Sequence, residues 1–462
     1  MTPIQKEWLF GLRSNKDQYE LTTIRQILEK LGQPQRHPRI VHIAGTNGKG
    51  STLVTLEKLL IESGFSVGST ISPHLLSFNE RFRINGLAAS EQLLDVAFHR
   101  VREVCGYNEA LLIDERRLPS IQPSFFEFSI AMAFVIFQGQ NLDFLLLETG
   151  LGGRLDATNI ITNPLVNIIT QIDYDHQTFL GESLKEITME KMGIIKKGAK
   201  VFLARQKESV SKQVMDYCEK ENIELYLAPK HFCHKIREDE TRYIFDLNGE
   251  RNEAAFSLDI KQIGLLGDHQ KENIQTALAV YFKMIPIENR LSHTRIQEVI
   301  RDLSWPCRME YRESGGLLLD GAHNASGMKS LMDYLQRKHK NDKILVAICW
   351  MDDKEIFNQC GGFDLRGMDF LPVTTRLVRS ASPLKMVTDL KSYGLSRLQP
   401  LRLDDFISSL SQKGYEDYDL VVVTGSLFFL GEFLTSWNIK ENHANNLIST
   451  VARAQPLKLD SI

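Results

Sequence analysis

The chain has 462 residues, 43% hydrophobic and 24% charged, close to globular averages; this excludes a disordered or fibrous chain, and the length favours two domains over one core. A formal charge of −3 argues against the broad basic footprint of a nucleic-acid binder and confines any anion site to a local cluster. Six cysteines without a CxxC pair or zinc-like spacing read as reduced thiols, the first ten residues lack a signal-peptide core, and no apolar run approaches the ~20 residues that cross a bilayer, so a cytoplasmic protein is expected.

Short β-branched runs alternate with longer helical patterns, the rhythm of crossover units on a mainly parallel sheet. The pattern predicts a strand at 40–44, a glycine turn, a helix at 51–63 and a strand at 67–70. A helix at 125–138 precedes a strand at 144–147 that closes at Glu148. Strands at 165–170, 200–203 and 224–227 follow with helices between them, 233–263 alternates as hairpins do, and 273–281 is helical. The rhythm then restarts, with a strand at 317–319 ending at Asp320, a helix at 326–337, a strand at 343–348 and a late strand at 420–424 running into Gly425-Ser426. A boundary near 305–314 is expected between two α/β units. The fold class is therefore α/β, with a P-loop-containing, mainly parallel sheet domain over 1–305 and a smaller Rossmann-like α/β domain over 306–438. The polar stretch 439–462 reads equally as a disordered tail or a packed-back helix.

Gly45-Thr46-Asn47-Gly48-Lys49-Gly50-Ser51-Thr52 lies between a predicted strand and a predicted helix. Glycines let backbone N–H groups turn toward an anion, the helix start adds positive dipole, and Lys49 supplies a point charge for outer phosphates. The spacing departs from the standard P-loop, because Gly50 separates Lys49 from Ser51. The alternative is a glycine-rich connector; strand, glycines, lysine, hydroxyls and helix in that order favour phosphate.

Ligands of doubly wound sheets gather at the carboxyl ends of strands. Ser72-Pro73-His74, Glu148 and Asp173-Tyr174-Asp175-His176 all follow predicted strands. Mg²⁺ is commonly held by one or two protein oxygens with phosphates and waters, so Ser72 and Glu148 are reasonable ligands, and His176 a less usual one. Each has a bland reading: Glu148 as a capping or salt-bridging carboxylate, His176 as a hydrogen-bonded loop histidine. Lys191, on a predicted helix, reads by itself as a solvated lysine paired with a neighbouring Glu.

Together these segments resemble the folylpolyglutamate synthase and dihydrofolate synthase family of the Mur ligase superfamily. The matching stretches are His42 to Thr52, Ser72-Pro73-His74-Leu75, Glu80-Arg81-Phe82, Glu148 to Asn159, Asp175-His176, Leu180-Gly181, Glu190-Lys191, Gly193-Ile194, Asp320-Gly321-Ala322-His323-Asn324, Asp353-Lys354-Glu355, Arg379-Ser380 and Thr424-Gly425-Ser426. The resemblance implies a two-domain ligase with ATP, its co-substrate, held between the domains. It implies that Gly48, Lys49, Gly50 and Ser51 cradle the phosphates, that Asn273 contacts adenine, that Arg308 contacts phosphate, and that Asp320 and His323 add nucleotide contacts. Ser72, Glu148 and His176 would hold Mg²⁺, and Lys191 would carry a carbamate that binds a second Mg²⁺. Ser124, Phe125, Phe126 and Glu127, with Leu155, Asp156 and Ala157, match segments lining the pterin site, and Ser426 falls in another matching segment as a substrate contact. Lys49, Lys191 and His176 are the expected catalytic side chains.

The implied activity is ATP-dependent addition of L-glutamate to dihydropteroate, to folates, or to both, through an acyl phosphate. No nucleic-acid or membrane partner is expected, and a monomer is. Three departures stand out: Cys307 where the family usually has glycine, Trp350-Met351-Asp352 in place of a smaller glycine-containing segment, and Met192 in place of a small residue beside Lys191. The stretch 18–27, where pterin contacts usually lie, matches poorly. A Mur-type ligase acting on a UDP-muramoyl or other peptide substrate, and a non-catalytic nucleotide-binding relative, are the alternatives. The Glu148 to Asn159 block argues against the first, and retention of Lys49, Glu148 and Lys191 against the second.

Overall fold

The computed structural model describes residues 1–12, 20–107, 120–236, 243–247, 256–312, 316–354, 356–357, 365, 367–395, 399–412 and 414–438. Residues 18–19, Glu355, Cys360 and the expected tail 439–462 lie outside this set. The chain divides into two compact units, Met1–Pro306 and Cys307–Ile462. Among the described residues no helix is long and apolar enough to cross a membrane.

Continuous apolar runs make strands covered on both faces, and such strands form the centre of the first unit. Its strands are β1 (Ile40–Ala44), β2 (Val67–Thr70), β3 (Phe82–Ile84), β4 (Leu87–Ala88), β5 (Phe144–Glu148), β6 (Val166–Ile169), β7 (Lys200–Leu203) and β8 (Leu225–Leu227). They form one sheet in the order β4-β3-β2-β5-β1-β6-β7-β8, parallel from β2 to β8 and antiparallel at the β3–β4 edge. Alternation sorts the side chains. Val41, Ile43, Leu146 and Ile168 pack with the helices Lys49–Glu62 and Asp268–Met284, whereas Ile40, Leu145 and Leu147 pack with Thr22–Lys30, Glu91–Val104 and Phe125–Gln138. The last of these is apolar all round and buried from Phe128 to Phe137, as a helix covered on every side must be. The alternating stretch expected as hairpins is a three-stranded antiparallel sheet of β9 (Phe232–Ile236), β10 (Tyr243–Leu247) and β11 (Phe256–Ile260).

The second unit has β12 (Glu310–Arg312), β13 (Leu317–Asp320), β14 (Ile344–Ile348), β15 (Met368–Thr374), β16 (Leu401–Arg402) and β17 (Leu420–Thr424), ordered β12-β13-β17-β14-β15-β16. All of its pairings are parallel except β12 with β13. β15, with seven residues, was not anticipated from the sequence; Pro372 within it breaks the strand pattern in one dimension.

Candidate active site

Neighbouring parallel strands place their following loops side by side. The order β2-β5-β1-β6 therefore brings Ser72, Glu148, the glycine loop and the Asp173–His176 segment to one edge of the first sheet. The helix expected from Ser51 begins at Lys49, so Lys49 and Gly50 form its first turn and Gly48 is its N-cap. Gly48 takes φ +87, and a Cβ there would stand 2.1 Å from Asn273 Oδ1, which places the Asn273 side chain against the loop. Gly45 is equally obligatory, since a Cβ would lie 1.9 Å from Thr170 Oγ1. The loop is fastened to the segment after β6: the Thr46 N–H donates to Gln171 O at 2.8 Å, and the Thr46 hydroxyl donates to Asp173 O while accepting the Asp173 N–H.

The Gly45 carbonyl accepts from the Lys49 ammonium and from the Lys191 ammonium, each at 3.0 Å. Lys191 is only 4% exposed, so it is not the solvated lysine that its sequence context suggested. Its placement explains Gly153 of the Glu148 to Asn159 block. A Cβ on Gly153 would stand 2.7 Å from Glu190 O and 2.9 Å from Lys191 O, and a Cβ on Gly193 would strike Arg154. Across this close approach the Arg154 N–H donates to Glu190 O at 2.7 Å, and Asn159 Nδ2 donates to Arg154 O and Gly193 O. Met192, beside Lys191, is buried in the apolar cluster under the same helix.

Glu148 is 5% exposed, and its Oε2 accepts the Ser72 N–H at 3.0 Å. His176 adopts φ +51 and donates its N–H to Asp175 Oδ1. Among the described residues no three His, Cys, Asp or Glu side chains are grouped to hold a metal by themselves. Ser72, Glu148 and His176 supply two such side chains and a hydroxyl, a donor set that suits Mg²⁺ only when phosphates and waters complete its sphere.

The segments expected to line a pterin site start the helix Phe125–Gln138 and the loop after β5. Ser124 caps that helix, and Glu127 closes the box by accepting the Ser124 N–H and hydroxyl, so both side chains are engaged in capping. The Phe126 ring fills the space beside Gly150, 2.5 Å from where a Cβ would be. Asp156 is buried and accepts from the N–H groups of Gly150, Leu151 and Thr158, which fixes the loop; burial nonetheless raises its carboxyl above the usual range. Leu155 is half-buried and Ala157 is buried in the core. The Thr158 hydroxyl donates to Asp156 and so accepts from His42 Nε2 at 2.8 Å, and burial holds His42 neutral, its pKa lowered to about 3.

The sequence analysis gave no role to Arg81, His74 or Glu80. Glu80 accepts the N–H groups of Leu75, Leu76 and Ser77 and so sets the loop after Ser72. Arg81 is 8% exposed, donates Nε–H to His74 Nδ1 at 2.8 Å, and lies 5.1 Å from the Phe125 ring centroid. An arginine between Phe78 and Phe82 was the available signal for a buried cation.

In the second unit, Asp320 closes β13 beside Thr424 of β17. It is 5% exposed and accepts the N–H groups of Met309 and Ala322; burial lifts its carboxyl to about 6, against the opposing pull of Arg308. His323 Nδ1 contacts Gly321 O at 2.9 Å. Ser426 is buried and its hydroxyl accepts the Phe428 N–H. Cys307 takes φ +56, the left-handed region that favours glycine, while its N–H donates to Glu310 Oε2.

No family model matches the chain. It is 30% identical over 438 residues to the dihydrofolate synthase/folylpolyglutamate synthase of Bacillus subtilis, covering 92% of this chain and 97% of the relative. It is 28% identical over 454 residues to the dihydrofolate synthetase of Saccharomyces cerevisiae, covering 92% and 99% of the two chains. Folylpolyglutamate synthase from Mycobacterium tuberculosis, solved with ADP and AMPPCP, superposes with a TM-score of 0.77 at 26% identity, covering 94% of this chain and 98% of that one. The bifunctional folylpolyglutamate synthase/dihydrofolate synthase of Yersinia pestis, solved with AMPPNP and Mn, gives 0.77 at 26% identity over 95% and 100%. On near-full-length likeness in sequence and fold, the chain belongs to the dihydrofolate synthase/folylpolyglutamate synthase family and is an ATP-dependent acid–amino-acid ligase.

Proposed function

We propose that the chain adds L-glutamate to both dihydropteroate and folates by way of an acyl phosphate. The observation that carries this reading is the shared Gly45 carbonyl, which ties Lys49 and Lys191 to one phosphate-type loop. The names of its relatives support both activities.

The acceptor carboxylate attacks the γ-phosphorus of ATP, the bond to the β–γ bridging oxygen breaks, and ADP leaves. The glutamate amine then attacks the acyl carbon, and phosphate departs from the tetrahedral intermediate. Lys49, freed from its loop carbonyls, offsets charge on the transferring group, and the N–H groups at the start of the helix Lys49–Glu62 hold the other phosphate oxygens. Arg308, Asp320 and His323 are read as nucleotide contacts, and Asn273 as the contact to the base. Divalent metal neutralises charge on the phosphates when bound, and Ser72, Glu148 and His176 are the residues that would hold it.

Lys191 is read as a carbamate: its neutral amine adds to CO₂, one proton is released, and the anionic product would hold a second Mg²⁺. The remaining carbamate N–H still suits the Gly45 carbonyl that the ammonium meets now. Phe125 and Phe126 offer aromatic faces for the pteridine. A side-by-side assay with dihydropteroate, tetrahydrofolate and a UDP-muramoyl acceptor tests the proposal. Glutamate-dependent ADP release is expected with both pteridines and not with the third; release with the UDP-muramoyl acceptor alone would overturn it.

A further inference from the structure

A guanidinium withdrawn from water normally engages several of its five N–H donors. Arg81 is 8% exposed, yet its hydrogen bonds among the described residues are a single donation from Nε to His74 Nδ1, and neither terminal amino group meets a protein acceptor among those residues. His74 accepts that donation at Nδ1, so its ring brings no counter-charge to the guanidinium. The Glu148 and Glu80 carboxylates act on Arg81 only at a distance, without an ion pair at contact range among the described residues, and burial lowers its pKa to about 10, so it remains charged at neutral pH.

Its surroundings are aromatic. The Arg81 guanidinium stands 5.1 Å from the Phe125 centroid, and Phe125 neighbours Phe78 at 6.0 Å and Phe10 at 5.4 Å. Phe10 is 50% exposed, so this wall is open on one side. Glu148, at the end of β5 on the strand edge that carries the glycine loop, attracts Arg81 at a distance. A planar aromatic acid meets such a surface with its ring on the phenylalanines and its carboxylate on the fork.

We propose that Arg81 is the residue that binds the acceptor's carboxylate, the one to be phosphorylated. This rests on the pteridine reading above. Charge-assisted pairing holds the carboxylate oxygens at the end of the aromatic wall facing the phosphate loop and selects acids over uncharged analogues of the same shape.

The test is a binding cycle with the full chain and AMPPNP. Dihydropteroate and an analogue with hydrogen in place of its carboxylate are titrated into wild type, Arg81→Lys and Arg81→Gln by calorimetry. Wild type should prefer dihydropteroate by about 10- to 100-fold. That preference should shrink in Arg81→Lys and vanish in Arg81→Gln, with the analogue binding all three alike. AMPPNP affinity and a thermal melt show that each variant is folded; if Arg81→Gln is not, Arg81→Lys carries the comparison. Equal weakening of both ligands would mean that Arg81 only stiffens the wall, and the proposal is then overturned. An undiminished preference in the variants, or a kinetic effect confined to the KM for glutamate, overturns it as well. A wild-type chain that binds neither ligand refutes instead the pteridine reading on which it rests.

Discussion

At the carboxyl edge of the first sheet, two lysines share one carbonyl, and the backbone around them approaches so closely that Gly45, Gly48, Gly153 and Gly193 have no room for a Cβ. At the corresponding edge of the second sheet, the central charge is a carboxylate, Asp320, sunk to 5% exposure with two backbone donors. The first edge is organised by steric fit and should fail when atoms are added. The second is organised by a costly buried charge and should respond to pH. Charge sign follows from this construction: the Lys49 cation, which rests on loop carbonyls, suits an anionic ligand, whereas a carboxylate held by N–H groups suits hydroxyl donors.

The largest effect is expected from Lys191→Ala. Turnover should fall by two orders of magnitude or more, with bicarbonate giving no recovery, in a coupled ADP-release assay. Near-wild-type rates would remove Lys191 from the comparison and with it the carbamate reading. Next, Gly153→Ala forces a Cβ to 2.7 Å from Glu190 O, and we expect a loss of about 1–3 kcal/mol in denaturant unfolding together with reduced turnover. Gly64→Ala, with φ +88 but open space, should cost no more than the left-handed penalty of about 1 kcal/mol and leave turnover unchanged.

The pH response sharpens the other side. Asp320 is raised to about 6 when folded, from an ordinary value near 3.9. Between these values the folded state binds more protons than the unfolded one, so Asp320 lowers stability as pH rises through that window, by about 1.4 kcal/mol per unit. Asp320→Asn should remove this term, seen as a smaller drop, or larger gain, in Tm from pH 4.5 to 6.5. His42 has the opposite sign. Its folded pKa of about 3 lies below the ordinary 6.5, so its contribution is complete above pH 6.5 and is lost as pH falls below it. His42→Asn should flatten the decline in Tm between pH 6.5 and 5.

The smallest effect is expected at Cys307→Gly. Relief of the φ +56 conformation is worth about 1 kcal/mol, and the greater freedom of glycine in the unfolded chain returns much of it. Stability measured by denaturant should change by less than about 1 kcal/mol.

The strands at 40–44, 67–70, 200–203 and 420–424 and the helix at 125–138 were legible because apolar runs bounded by glycine or polar residues are a one-dimensional signal. The glycine loop between β1 and the helix Lys49–Glu62 was legible for the same reason: its eight residues are consecutive. The start of its helix was misplaced by two residues, because helix onset is set by the φ of Gly48 rather than by apolar spacing. Ser124 and Glu127 were marked as candidate site residues, but their mutual cap is a local contact that the resemblance did not express.

The sequence by itself determined the alternating α/β order, the glycine loop and which polar residues end strands, since each depends on neighbours within a few positions. Only the tertiary structure decided that Lys191 meets Gly45 across 146 positions of chain and that Arg81 is buried with its Nε on His74. Sheet order and burial arise from packing between distant segments, and no local pattern carries that information.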